Sequence, residues 1–313
     1  MPTHFIKKQP IFILGTGRSG TTLLQRILNS YEDVVIWGEH HGFIRHVANA
    51  FYRGLEGPHL FEERPEPWQA GLLGDKDNWS LQVWMSGFNR EDWLNSFRHF
   101  LETLFLPEGL SGKNFWGFKE MTYMQQEGDP TLEFLHHLFP DAIFAFVIRN
   151  PFNVLASNKM ETPLPHTLSL LRKSCGWWKM QNRCFQEWHA SGKVRSFWIR
   201  YEDLIEGRGE VVDLLGRMGK TFGERQYALL KDKAGRGSSF TSDAVNDRWK
   251  TLPSTWFAYA CVSLGRLSRE LGYSNPPTSF VSRARGAILY FLLFVQGLLT
   301  RLLHGFLRFV KEY

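Results

Sequence analysis

Apolar positions along this chain follow two rhythms: short unbroken runs, and longer stretches in which they return every three or four residues. The runs IFIL (11–14), VVIW (34–37), FWGFK (115–119), AIFAFVI (142–148) and residues 194–199 predict five strands. Unbroken apolar character is expected of a strand covered on both faces, as in a parallel sheet. Helical spacing predicts helices after Gly20, over 89–106, over 131–139, after Pro151 and over 168–188. Strands alternating with helices predict an α/β fold, a central parallel sheet of about five strands flanked by helices.

Polar residues cluster where the predicted strands end. After the first strand, Gly15, Gly17 and Gly20 allow a tight turn, and Thr21 and Thr22 open a helix whose free N–H groups and dipole favour an anion. The spacing approaches the nucleotide-binding loop G-x-x-x-x-G-K-[ST], but Thr21 stands at the lysine position. In triphosphate chemistry that lysine and a magnesium ion neutralise the β- and γ-phosphates, so its absence argues against a kinase or ATPase. Arg18 is the cation this loop supplies instead, and a bidentate guanidinium suits a sulfate or phosphate handled without a metal.

The second strand ends at Gly38-Glu39-His40-His41, and strand carboxyl ends carry ligands in doubly wound sheets. Glu39 is thus a candidate general base, with His40 and His41 as competitors. The third strand delivers Lys119 and Glu120 to the same edge; the plain alternative is a loop with two solvated charges. The fourth ends in Arg149-Asn150-Pro151, with Ser157 on the following helix, so that a guanidinium and a hydroxyl can reach one phosphate. The fifth runs into RYEDL (200–204), where Asp203 is a candidate helix cap and Tyr201 a candidate ligand contact.

GTGRSGTTLL, followed by Gly38-Glu39, resembles the 5′-phosphosulfate loop of sulfotransferases that use 3′-phosphoadenosine 5′-phosphosulfate (PAPS), in particular their tyrosylprotein and bacterial branches. The resemblance spans about residues 10 to 250 and implies a P-loop NTPase-like sulfotransferase fold. It further implies that Arg18, Ser19, Gly20, Thr21 and Thr22 bind the cosubstrate and that Glu39 deprotonates an acceptor hydroxyl. By the same resemblance Lys119 contacts the transferred group, Arg149 and Ser157 hold the 3′-phosphate, and Tyr201 lies near the adenine. A basic loop within 231–252 is expected to close over the nucleotide through Arg236 and Gly237, although the family's R-K-G-x-x-G phrase is absent. No metal is required, the product nucleotide is PAP, and no nucleic acid partner is implied. A kinase-like phosphotransferase and a catalytically silent nucleotide-binding protein are the alternatives.

The 313 residues suit one domain over 1–282, with an acceptor-covering insertion over 42–113 and a separate tail over 283–313. The insertion carries Trp68, Trp79, Trp84 and Trp93, which either grip an acceptor or pack on the core. A saccharide, a lipid, a peptide tyrosine and a small natural product all remain open as acceptor. Net charge of +6 fits an anionic cosubstrate, an acidic substrate or an anionic membrane equally. Three cysteines without a C-x-x-C pair suggest neither a disulfide framework nor a zinc site. The first ten residues lack an apolar h-region, which predicts cytosolic residence, unlike the Golgi tyrosylprotein enzymes. In the tail, residues 287–295 are wholly apolar, while Arg301, His304, Arg308 and Lys311 recur on one helical face. That pattern predicts a helix lying on an anionic membrane surface, with packing on the domain or on a second copy as the alternative.

Overall fold

A computed structural model describes residues 8–56, 90–110, 112–161, 168–231, 248–274, 284–292 and 294–295. Each apolar run forms a strand: β1 (Gln9–Gly15), β2 (Val34–Trp37), β3 (Phe115–Glu120), β4 (Ile143–Ile148) and β5 (Arg195–Arg200). All neighbouring pairs are parallel, in the order β2-β3-β1-β4-β5. The expected α/β architecture with a five-stranded parallel sheet is the observed one.

Between and around the strands run α1 (Thr21–Leu28), α2 (Phe43–Leu55), α3 (Arg90–Phe105), α4 (Thr131–Leu138), α5 (Pro151–Glu161) and α6 (Leu168–Ser191). The single turn α7 (Tyr201–Leu204), α8 (Glu210–Arg217), α9 (Glu224–Lys231) and α10 (Ser254–Glu270) follow. Successive strand residues point to opposite faces, and each face is apolar. Phe12, Leu14, Phe118, Phe144 and Phe146 share one core with residues of α2, α3, α4 and α6. Ile11, Ile13, Ile143, Ala145 and Val147 share the other with α1 and α8. This two-sided burial is why β4 reads as an unbroken apolar run. Within the 42–113 segment, α2 and α3 form part of the first core through Ile44, Phe51, Leu101 and Phe105. Trp93 packs on Phe97, ring centroids 5.0 Å apart, while Trp68, Trp79 and Trp84 lie outside the described residues.

Gly117 decides how closely β3 approaches β1. It pairs with Ile11, and a Cβ built there would stand 1.9 Å from the Ile11 carbonyl oxygen. Only glycine admits that strand contact.

Strand order also locates the functional edge. From β1 the chain leaves toward β2, and from β4 toward β5, so the connections diverge and open a crevice at the carboxyl ends of β1 and β4. A large cavity of about 830 Å³ lies at the opposite edge, around Pro10, Trp116 and Ala142 at the strand starts. Topology, rather than cavity size, points to the site.

Candidate active site

The β1–α1 turn begins the site. Arg18 has φ of 67° and Gly20 φ of 103°, so two of its residues occupy the left-handed region. For an arginine that conformation costs about 1–2 kcal/mol and needs support from its surroundings. Support comes from Arg149, whose Nη1 donates to the Arg18 carbonyl at 3.1 Å. Gly20 is required for a second reason: a Cβ there would lie 2.3 Å from Cδ2 of Tyr201. Gly20 caps α1 without a side-chain bond, so the first-turn N–H groups have no acceptor within the helix. Thr21 is buried and Thr22 exposed, and Ser19 is fully buried with an Oγ that finds no hydrogen-bond partner.

Arg18 and Arg149 sit at neighbouring strand ends and form one cluster. Arg18 Nε donates to Ser157 Oγ at 3.1 Å, so the hydroxyl on α5 joins the two arginine-bearing segments. The Arg149 guanidinium lies 4.2 Å above the Tyr201 ring, and Trp178 Nε1 donates to the Arg149 carbonyl at 3.4 Å. Tyr201 is therefore wedged between the turn and Arg149. Pro151 starts α5, as its fixed φ suits, and Glu202 accepts from the Asn150 N–H at 3.1 Å and from the Tyr273 hydroxyl at 3.1 Å, steadying the β4–α5 junction. Burial pulls the Arg149 guanidinium below its ordinary pKa; Tyr201 and Glu202 oppose the fall, and the nearby Arg248 and Arg18 guanidiniums add to it. Arg248 opens a 3₁₀ turn (Arg248–Thr251) held on α5 by the Trp249 N–H bond to Asn153 Oδ1 at 3.1 Å. Sequence reasoning had no signal for Arg248 beyond the charge of its segment; Arg236 and Gly237, the residues it did single out there, lie outside the described residues.

Across β1, the ends of β2 and β3 bring Glu39 and Lys119 together. Lys119 Nζ is ion-paired with Glu39 Oε1; the lysine side chain is 5% exposed and the carboxylate 38%. The adjacent Glu120 overturns the expectation of a solvated loop charge. It is buried, and its carboxylate accepts from the N–H groups of His40 (3.1 Å), Gly42 (2.9 Å), Met121 (2.8 Å) and Thr122 (3.2 Å). Burial alone would raise its pKa, but the four backbone donors and His40 together bring it below the ordinary carboxylate value. The loop carrying Glu39 is thereby fixed to the end of β3.

His40 turns away from the arginines. Its ring packs against Phe43 and Phe118, with centroids 4.9 and 4.7 Å distant, and its Nδ1 lies 3.4 Å from Glu120 Oε2. Burial lowers its pKa, partly opposed by Glu120. His41 is exposed, with φ of 56°. Of the three candidates for a base, Glu39 is the one paired with Lys119.

The profile of the sulfotransferase family matches residues 10–219, a span that includes Arg18, Glu39, Lys119, Arg149, Ser157 and Tyr201. No curated protein sequence matches the chain. Among solved structures, it is similar to the sulfotransferase domain of the olefin synthase of Synechococcus PCC 7002. There the identity is 19% and the TM-score 0.53, over 86% of this chain and 96% of that one. The sulfotransferase STF1 of Mycobacterium tuberculosis H37Rv aligns at 16% identity with a TM-score of 0.38, over 78% and 77% of the two chains. The first of these likenesses speaks for the fold and the family profile for descent: this chain belongs to the sulfotransferase family.

Proposed function

We propose that the protein transfers the sulfuryl group of PAPS to a hydroxyl of an acceptor. The observation that carries this reading is the convergence of Arg18, Arg149 and Arg248 on the start of α1, one strand away from the Lys119–Glu39 pair. The residues present fit a doubly charged nucleotide: a buried guanidinium is crowded by two others, and the Ser19 hydroxyl within the turn has no partner. Arg149 and Ser157 would hold one phosphate. Arg18, Ser19 and the Thr21 and Thr22 N–H groups would hold the sulfated end. Bound PAPS supplies a sulfuryl group on a phosphate leaving group.

Each side chain then has a defined task. Glu39 takes the proton of the acceptor hydroxyl as the new S–O bond forms. Lys119 and Arg18 stabilise the negative charge left on the departing phosphate oxygen of PAP as the old S–O bond breaks. Incubating the protein with ³⁵S-labelled PAPS or ³²P-labelled ATP and host extract tests the reading. Label is expected in an acceptor from PAPS only, and transfer from ATP alone overturns the assignment.

We further propose that the 283–313 segment rests on an anionic membrane. Residues 284–292 form a helix in which Gly286 abuts Ala258 and Tyr290 stacks on Tyr259 at 5.7 Å. Ile288, Phe291, Leu292 and Phe294 are each about 60% exposed, and the cations Arg301, His304, Arg308 and Lys311, outside the described residues, follow them in sequence. Among the described residues no helix is long and apolar enough to cross a membrane. The full-length chain is expected to float with phosphatidylglycerol vesicles and to be released by salt. Failure to float, or equal flotation with pure phosphatidylcholine, overturns the proposal.

A further inference from the structure

The three segments that carry Arg18, Lys119 and Ser157 also have a second side. Thr16 and Gly17 of the turn, Met121 and Thr122 after β3, and Leu155 and Asn158 of α5 together border a cavity of about 260 Å³. Its remaining wall comes from α6 and α10, with Trp177, Trp178 and Trp256 prominent. The cavity therefore adjoins the cationic cluster through shared backbone.

Its chemistry is the opposite of the cluster's. In a chain of net charge +6, no residue lining this cavity is charged. The polar lining consists of threonine, serine and amide side chains, and buried Thr16 has an Oγ1 with no hydrogen-bond partner. The Gln181 amide is already committed: its Nε2 donates to the Met121 and Tyr123 carbonyls at 2.7 Å each, which fixes the wall. Trp178 is buried, whereas Trp177 is 40% exposed and presents a free ring face. Indole faces stack on flat apolar ring surfaces, and uncharged hydroxyls and amides match hydroxyl groups.

We propose that this cavity seats the acceptor, and that the acceptor is an uncharged, single-ring compound bearing a hydroxyl. The inference rests on the sulfotransfer reading above. A carboxylate, phosphate or ammonium group placed here would lose its water without gaining an ion partner, a cost of several kcal/mol. Size restricts the occupant further: at about 30 Å³ per water-sized group, the cavity holds about nine such groups. That is one substituted ring, not a lipid chain or a peptide segment. Phenols and sugar rings share this chemistry, and turnover distinguishes them.

The test uses full-length protein and acceptor pairs that differ only in charge. 4-Hydroxybenzyl alcohol is compared with 4-hydroxybenzoate, and methyl glucoside with methyl glucuronide. Within at least one pair, kcat/KM for the uncharged member is expected to be about 100-fold or more higher, as unpaired burial of a charge requires. The pair that responds identifies the ring as phenolic or saccharide. Trp177→Ala is expected to raise KM for the acceptor about tenfold while KM for PAPS stays unchanged, with Trp177→Phe largely restoring the acceptor value. Ser174→Lys, which adds a cation to the lining, is expected to shift preference toward the carboxylate. Equal turnover of charged and uncharged members overturns the seat and leaves sulfotransfer standing. Tryptophan fluorescence titration with the same compounds reads the seat without turnover. If PAPS proves inert, ring binding that Trp177→Ala weakens keeps the seat while the sulfotransfer reading falls, and absence of binding overturns the seat as well.

Discussion

Replacing Arg149 with methionine should separate ligand binding from folding. In the protein without ligand this guanidinium is almost fully buried, close to Arg18 and Arg248, and its compensation comes from the Arg18 carbonyl, the Tyr201 ring and Glu202. Exchanging a buried ionic group for an apolar side chain of similar volume is often neutral or stabilising. Arg149→Met is therefore expected to melt within about 3 °C of the parent when both are free of ligand. With adenosine 3′,5′-bisphosphate at 100 times its Kd, the parent gains about 2.7 kcal/mol, or about 5–11 °C for a chain of this size. Removing a buried cation from a phosphate contact costs about 2–5 kcal/mol, a Kd weaker by about 30- to 5,000-fold. At the same ligand concentration the variant's gain then falls below about 1 kcal/mol. Differential scanning fluorimetry with and without the nucleotide, supported by circular dichroism, measures both quantities. A full ligand shift in Arg149→Met would refute the phosphate role. Collapse of the ligand-free variant by more than about 10 °C would instead make the guanidinium a structural strut.

Glu39→Gln keeps the shape of the carboxylate and removes its basicity, so sulfuryl transfer is expected to fall about 10²- to 10⁴-fold while nucleotide binding by calorimetry is unchanged; a variant of normal activity would refute the base assignment. Gly117→Ala drives a Cβ into the Ile11 carbonyl oxygen between two central strands, and a loss of about 3 kcal/mol or more in urea unfolding is expected, against which near-parent stability would count. Stability should also fall with acid in two stages. The folded state resists protonating His40, whose pKa lies below its ordinary 6.5, so stability is lost as pH drops from 6.5 toward the folded value; Glu120, held below its ordinary 4.5, adds a second loss beneath that pH. Urea midpoints from pH 8 to 4 would show this, and a midpoint that rises between pH 7 and 5 would contradict it.

How much of this was legible in the sequence depended on whether a feature was local. The strands could be read because coverage on both faces leaves an unbroken apolar run, and VVIW coincides with β2. Arg18, Arg149 and Ser157 could be named because each follows a strand within a recognisable local phrase. That Arg18 Nε meets Ser157 Oγ could not be read, since it depends on β1 lying beside β4. The pairing of Glu39 with Lys119 likewise needs β3 inserted next to β2, although eighty residues separate the two in the chain. Gly117 looked like an ordinary residue of FWGFK because its constraint comes from a neighbouring strand's carbonyl. His40 was a reasonable candidate base on residue type alone; its place among Phe43, Phe118 and Glu120 is set by tertiary packing.

The grip of the Glu120 carboxylate on the amides of His40 and Gly42 means that the aim of residue 39 is set from β3. Chain length and composition beyond α2 can then drift without misdirecting that side chain. Relatives built on the same plan are free to exchange their outer walls and take new acceptors while the proton-handling corner stays where it is.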